Sequence, residues 1–385
     1  MANETMKTKL HSLFIGLAII AGLHQATAQV TNLGIAPVAG GQSLLYWPAG
    51  SPTNNNYILQ STTNLAAPNW TTEKYPVPVT ASTVSNTTPA KFFRLVYTNP
   101  PAGMVLIPAG SFLMGNSIGD GDITDANPTN VYVSAFFMDT NLVNLSIWQA
   151  VYTYATGNGY TFTNTGLAKA GNNPVETVDW FDCVKWSNAR SQQAGLTPVY
   201  YTDAGFTQVF TTGDTGTTVY ANWGTNGYRL PTEAEWEKAA RGGLRGRRFP
   251  WGNLISEGQA NYYGNTNGYS YDLGPNGYNS IGSIGGTSLA TSPVGSFDVN
   301  GYGLYDMAGN VLEWCWDGYA GPPYPAGSPY LGGSNPTGAR PGPGSRVLRG
   351  GCWYYGAGLA RCAGRDLDLP FIAGYYFGFR CVRGL

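Results

Sequence analysis

The rhythm of hydrophobic and polar positions changes near residue 99. Between residues 30 and 98 the apolar positions come in short alternating runs, Ser43–Trp47, Tyr57–Thr62 and Phe92–Tyr97, separated by clusters of Pro, Asn, Gly and Thr such as Pro48–Asn56. Period-two runs bounded by turn residues predict strands, and their spacing predicts a small antiparallel β-sandwich over residues 29–98. That segment holds no chemical motif, so its expected role is an accessory or spacer module. Asn99-Pro100-Pro101 then supplies a stiff linker.

After the linker the pattern becomes mixed. Met104–Gly115 carries apolar runs broken by Pro108-Ala109-Gly110, which predicts a hairpin. Trp148, Val151, Tyr152 and Ala155 recur at helical spacing, with Ser146 as the expected cap and Gly157 as the stop. A second helix is expected from Asp179 to Ala194, with Trp180, Cys183, Val184 and Ser187 on one face and Gly195 ending it. The third is marked by the capping box Thr232-Glu233-Ala234-Glu235 and by Gly242-Gly243. Beyond Gly243 turn residues recur every few positions. Such long irregular stretches in a compact domain call for a metal, disulfides or a bound function to hold them. The expected architecture is therefore a small all-β sandwich followed by a loop-rich α+β domain over residues 99–385.

Residues 1–28 have the form of a secretory signal peptide, with Lys7 and Lys9, the apolar run Leu13–Leu23, and Ala26-Thr27-Ala28 before Gln29. Eleven apolar residues are too few to cross a bilayer comfortably, and no later run is apolar enough. The expectation is a secreted or periplasmic protein without a membrane span. His11 and His24 are the two histidines of the chain and both leave with that segment. Imidazole-dependent triads and histidine metal sites are then excluded. The chain is 11% charged with a formal net charge of −1, which argues against nucleic acid as a partner. Gly (53), Tyr (26) and Trp (11) are abundant, as in a turn-rich globular protein.

Four phrases follow in order: YRLPTEAEWEKAARGG (Tyr228–Gly243), NGYGLYDMAGNVLEW (Asn300–Trp314), RVLRGG (Arg346–Gly351) and GFRCVR (Gly378–Arg383). With MVLIPAGSFLMG (Met104–Gly115) as an opening, they resemble the formylglycine-generating enzyme family, also called the sulfatase-modifying factor domain. The resemblance implies a loop-rich fold distantly like C-type lectins, with a groove beside Gly350-Gly351. It also implies a calcium ion held by the Asp306 and Glu313 side chains and the Gly309 and Val311 carbonyls. Two acidic oxygens and inward carbonyls suit calcium on chemical grounds as well; the bland alternative is a capped turn with Glu313 in a salt bridge. A second family calcium site would use Asn261 and the Tyr262 carbonyl. Its acidic partner falls on Gly286 by ungapped counting, while Asp272 lies upstream.

The family's copper-binding cysteine pair belongs four and nine residues beyond Gly350-Gly351, where this chain has Tyr355 and Ala360. Cys352, directly after the glycines, is a weak candidate for an alternative nucleophile or soft ligand. Copper is therefore not expected. The resemblance places a partner for Cys381 at Ser187 and one for Cys362 at Ala239; Cys183, one helical turn before Ser187, is the expected disulfide partner of Cys381. The pairings of Cys315, Cys352 and Cys362 stay open. Arg241, Arg245, Arg247 and Arg248 form either an anion site or a solvated loop. Trp314, Trp316, Tyr319, Tyr324, Trp353, Tyr354 and Tyr355 are either core or groove lining, with Trp353, Tyr354 and Tyr355 the expected ligand groove. Three function classes follow: a non-enzymatic binding module for an extracellular peptide or glycan, a copper oxidase converting a sulfatase cysteine to formylglycine, or a divergent enzyme of the same fold.

Overall fold

The computed structural model describes residues 100–282, 291–338 and 344–385, together with the backbone of six strands between residues 34 and 97. The expected signal segment 1–28, Gly286 and the connections among those six strands lie outside the described residues. The chain divides into two compact units, Met1–Asn99 and Pro100–Leu385.

In the first unit the alternating runs do form strands. Gly34–Val38, Gln42–Tyr46 and Ala81–Ser85 make one antiparallel sheet with Gln42–Tyr46 in the middle. Thr71–Lys74, Tyr57–Thr62 and Phe92–Tyr97 make a second, with Tyr57–Thr62 central.

The second unit is a mixed α+β, loop-rich fold. The strand Leu312–Gly318 pairs antiparallel with Arg346–Arg349 and parallel with Phe377–Gly378, and Arg365–Asp368 adds outside Arg346–Arg349. Its residues from Leu312 to Asp317 are all buried, so the run lacks the alternation of a half-exposed strand. The expected hairpin over Met104–Gly115 is not one. Met104–Ile107 pairs with Phe136–Asp139, whereas Gly110–Met114 pairs with Thr129–Val133. Pro108 cannot donate to a ladder, and Gly110 at φ +143° redirects the chain, so the two strands enter different sheets.

Helix α1 spans Leu145–Gly157 and is capped by Asn144, whose side chain accepts from Ile147 N, rather than by Ser146. The amides of Leu145 and Ser146 bond to the carbonyls of Asn173 and Gly171, which fixes the helix start two residues earlier. Helix α2 spans Trp180–Gln193 with Asp179 as its cap, and Gly195 at φ +68° ends the turn that follows. Helix α3, Glu233–Ala240, carries the expected capping box between Thr232 and Glu235.

Helix α3 is buried on every side despite its charges. Each carboxylate meets a guanidinium, from Arg349 and Arg365 far along the chain or from Arg229 and Arg241 flanking the helix. Glu233 accepts from Arg365 at 2.6 Å, Glu235 from Arg229 at 2.7 Å, and Glu237 from Arg241 at 2.6 Å and from Arg349. Glu237 also accepts from Gly115 N at 2.7 Å. The expected cationic loop is thereby absorbed in part, since Arg241 serves Glu237 and Arg248 is paired with Asp120. Removing one member of a fully buried pair leaves the other charge without compensation, a loss of about 3–5 kcal/mol. Glu237→Ala should lower unfolding stability by that order in urea titration; a change under about 1 kcal/mol would mean the network contributes little.

Candidate functional site

Three segments far apart in sequence meet at Asn310. Its amide donates to the Asn261 carbonyl at 2.7 Å, and its carbonyl accepts from Trp353 N at 3.0 Å. Its side-chain amide pairs with the Ser292 backbone in both directions, at 2.9 and 3.2 Å. Beside it Gly309 N donates to the Gly350 carbonyl at 2.7 Å. Gly309 sits at φ +78°, and a Cβ there would lie 2.4 Å from the Asn261 carbonyl oxygen. Gly351, at φ +69°, has room for no Cβ either, since Ala360 N would be 2.8 Å away. Glycine is thus needed in each phrase for a close approach of backbones, Gly309 to Asn261 and Gly351 to Ala360. Asn310 itself takes φ +69°, a conformation that asparagine tolerates better than most residues. Its role as the hub was hidden in the sequence, where Gly309-Asn310 reads only as a turn.

The residues expected to hold calcium are gathered here but not equally free. Both Glu313 oxygens accept from Arg380, at 2.7 and 3.0 Å, and both side chains are fully buried. Arg380 also donates to the Tyr305 carbonyl at 2.9 Å. One Asp306 oxygen accepts from Gly295 N at 2.8 Å, while Oδ1 is buried without a partner. Burial raises the Asp306 carboxyl to about 6, against the pull of Gly295 N and Arg380. The donor set is therefore divided: Asp306 offers an orphaned oxygen that suits a cation, and Glu313 is already neutralised. Gly309 and Val311 are buried on either side of Asn310. At the second expected site, Asn261 is buried, and the Tyr262 hydroxyl donates to Asp272 at 2.6 Å. Asp272 is thus beside Tyr262, but it also accepts from Asn265 N at 2.6 Å and Gly274 N at 2.9 Å.

A further acidic group was not legible as such. Oxygens of Asp179, Asp182 and Asp214 lie within 4.8 Å of one another and could hold a metal ion such as calcium. Asp179 caps α2 and Asp182 lies in its first turn, while Asp214 arrives from a loop. Lys185 Nζ sits 3.0 Å from Asp214 and 3.5 Å from Asp182. Burial and the neighbouring Asp182 raise Asp179 to about 7.

All five cysteines are free and buried, which corrects the expected Cys183–Cys381 bond. Cys381 Sγ lies 3.5 Å from the Ser187 hydroxyl, so Ser187 occupies the place of the thiol partner that the resemblance implies. Cys183, one turn earlier, is fully buried as well. Ala239 and Cys362 share the main core cluster, where an alanine offers no thiol.

Cys352 is fully buried, and burial pushes its thiol up to about 12. Around it the aromatics split into two groups. Trp314 and Trp316 are core. Tyr354 is 40% exposed and Tyr375 51% exposed, whereas Trp353 is 7% exposed. Tyr354 stacks on Tyr376 at 6.0 Å and 11°, meets Tyr355 edge-on at 5.5 Å, and contacts Tyr375 at 6.2 Å. Tyr278 closes the cluster from the short strand Gly277–Tyr278, 6.0 Å from Trp353 and 6.1 Å from Tyr354. Each ring is fixed by its neighbours, so the exposed faces form a prearranged aromatic surface.

Residues 91–385 match the sulfatase-modifying factor enzyme 1-like domain. A formylglycine-generating enzyme of Streptomyces coelicolor is 32% identical over 297 residues, covering 73% of this chain and 88% of the relative. The chaperone protein LppX of Paenibacillus barcinonensis is 32% identical, covering 58% and 74%. Among solved structures, Treponema denticola variable protein 1 superposes with a TM-score of 0.56 at 29% identity, over 73% of this chain and 95% of that one.

The Asp306 carboxyl gives a pH signature. Its folded value near 6 exceeds the ordinary 3.8, so between those values the folded chain keeps a proton that the unfolded chain releases. Its contribution should therefore be present below about pH 4 and decline as pH rises through about 6, by on the order of 3 kcal/mol. In chelator, Asp306→Asn should flatten that part of the stability profile; an unchanged profile would contradict the assignment.

Proposed function

Because this chain belongs to the sulfatase-modifying factor enzyme 1-like family yet has Tyr355 and Ala360 where the expected copper thiols fall, we propose that it is an exported, non-oxidase binding module. Its ligand is a peptide or glycan outside the cell, engaged by Tyr354, Tyr355 and Tyr375, with the buried Trp353 backing them. The observation that carries this reading is the exposure of Tyr354 and Tyr375 on a cluster of mutually packed rings. Exposed, prefixed tyrosines supply contact area at small entropic cost, which is what recognition surfaces need.

The residues present do not suit linear Cu(I) coordination, which requires two thiolates. Burial holds Cys352 and Cys362 protonated, each pushed up to about 12. Among the groups acting on Cys352, the Asp366 carboxylate disfavours the thiolate further. Cys362 is instead enclosed by Glu237, Arg241 and Arg349 under helix α3. Relatives named as a formylglycine-generating enzyme and as a chaperone accord with a scaffold whose activity is set by local residues.

Peptide and glycan arrays probed with the purified chain test this reading. The double variant Tyr354→Ala/Tyr375→Ala should lose at least about tenfold in affinity for whatever is captured, while Cys352→Ser retains it. Capture that is indifferent to both tyrosines would remove the aromatic surface from the account. In a companion assay, copper-loaded, reduced protein should leave the mass of a Cys-x-Pro-x-Arg peptide unchanged. Oxidation of the peptide cysteine to an aldehyde, abolished by Cys352→Ser, would establish an oxidase with a rebuilt site.

A further inference from the structure

A second cleft, sharing no residue with the tyrosine surface, lies between the start of helix α3 and the strand ends Val133 and Phe136. Its volume is about 250 Å³, near the lower end of ligand pockets, which run from about 300 Å³ upward. Ser134, Trp223, Arg229, Glu235, Asn335 and Thr337 supply its chemistry. Trp223 is 39% exposed, yet its ring is not loose. It stands edge-on to Trp316 at 5.9 Å and 88°, and the Arg229 guanidinium lies 5.0 Å over its face. An indole held rigidly and left open toward a cleft is a stacking platform.

The charges of the cleft cancel. Arg229 and Glu235 form a two-pronged pair, with both bonds at 2.7 Å, and Glu235 takes a further bond from Thr232 N at 2.9 Å. Their side chains are only 11% and 12% exposed, so they form a wall of fixed dipoles without a free charge. An ionic ligand would find no uncompensated partner there. The remaining polar groups are hydroxyls and an amide. Asn335, at φ +47°, is locked by its amide to the Tyr132 carbonyl at 2.7 Å. Its side chain accepts from Ser134 N at 2.6 Å and donates to the Ser134 hydroxyl at 3.0 Å, which leaves that hydroxyl's own proton to give away. Thr337 is exposed at the mouth.

We propose that this cleft binds one uncharged pyranose ring, its C–H face stacked on Trp223 and its hydroxyls bonded to the Ser134, Asn335 and Arg229–Glu235 wall. A pyranose combines an apolar face with a rim of hydroxyls, which matches an aromatic plane beside neutral donors and acceptors. The size of the cleft limits it to a single ring. This site stands apart from the proposed peptide or glycan surface at Tyr354 and does not depend on it.

Saturation-transfer NMR on the full chain, with the methyl pyranosides of glucose, galactose, mannose and N-acetylglucosamine as separate probes, tests the assignment. At least one should give transfer to its ring C–H protons. Trp223→Ala should abolish that signal or weaken binding at least about tenfold. Thr337→Tyr, a surface change that blocks the mouth without touching the core, should do the same. Tyr354→Ala should leave the signal intact. The site is refuted if no pyranoside gives transfer, if the signal survives either Trp223→Ala or Thr337→Tyr, or if it is lost only with Tyr354→Ala, which would place the sugar on the other surface.

Discussion

Helix α3 is a charged helix placed where an apolar one would ordinarily lie, and the second unit is organised around neutralising it. Eight residues contain Glu233, Glu235, Glu237 and Lys238, all buried. Their partners come from Arg229, Arg241, Arg349 and Arg365, and Lys238 donates to the carbonyls of Gly110 and Val133. A buried charge costs several kcal/mol unless it is paired and hydrogen-bonded, so these segments are bound to one geometry. Arg349 is the link to the surface. It joins Glu237 and the carbonyls of Gly364 and Cys362, and the next two residues are the glycines that approach Gly309 and Ala360. The ion network therefore fixes the platform from which Tyr354 and Tyr355 are displayed over the buried Trp353. Such pairing constrains the fold more than it adds to net stability, because apolar side chains could fill the same space at lower desolvation cost.

Features decided within a few residues were legible in the sequence, and those decided across the chain were not. The capping box at Thr232 and Glu235 and the stop at Gly195 are local, and both stand where the spacing places them. The alternating runs of the first unit likewise became strands, Tyr57–Thr62 and Phe92–Tyr97 at the expected bounds and Ser43–Trp47 shifted by one residue to Gln42–Tyr46. Met104–Gly115 misled because strand pairing is non-local: the turn residues are present, but each strand prefers a different neighbour. Ser146 and Asn144 are both able caps, and the contacts of residues 145 and 146 with the Gly171–Asn173 loop decided between them.

The candidate site divides along the same line. The phrases around Asp306, Gly309, Gly350 and Cys352 pointed to one place, and the contacts through Asn310 bring them together. What sequence could not supply was the state of each donor. Glu313 is held by Arg380, 67 positions away, and Asp306 keeps one oxygen free. The aspartate group at α2 depends on Asp214 from a distant loop, and the thiol expected opposite Cys381 was replaced by the Ser187 hydroxyl one turn along.

The central claim is that a rigid scaffold of buried ion pairs holds the aromatic surface ready before any ligand arrives. Native-state hydrogen exchange measures this directly, through the amides of Gly309, Trp353 and Tyr263, which bond to the carbonyls of Gly350, Asn310 and Tyr355. These three amides should exchange as slowly as those of helix α2, opening only with the whole unit. Fast exchange at Trp353 and Tyr263 while α2 stays protected would show a surface that forms only on binding, and would contradict it.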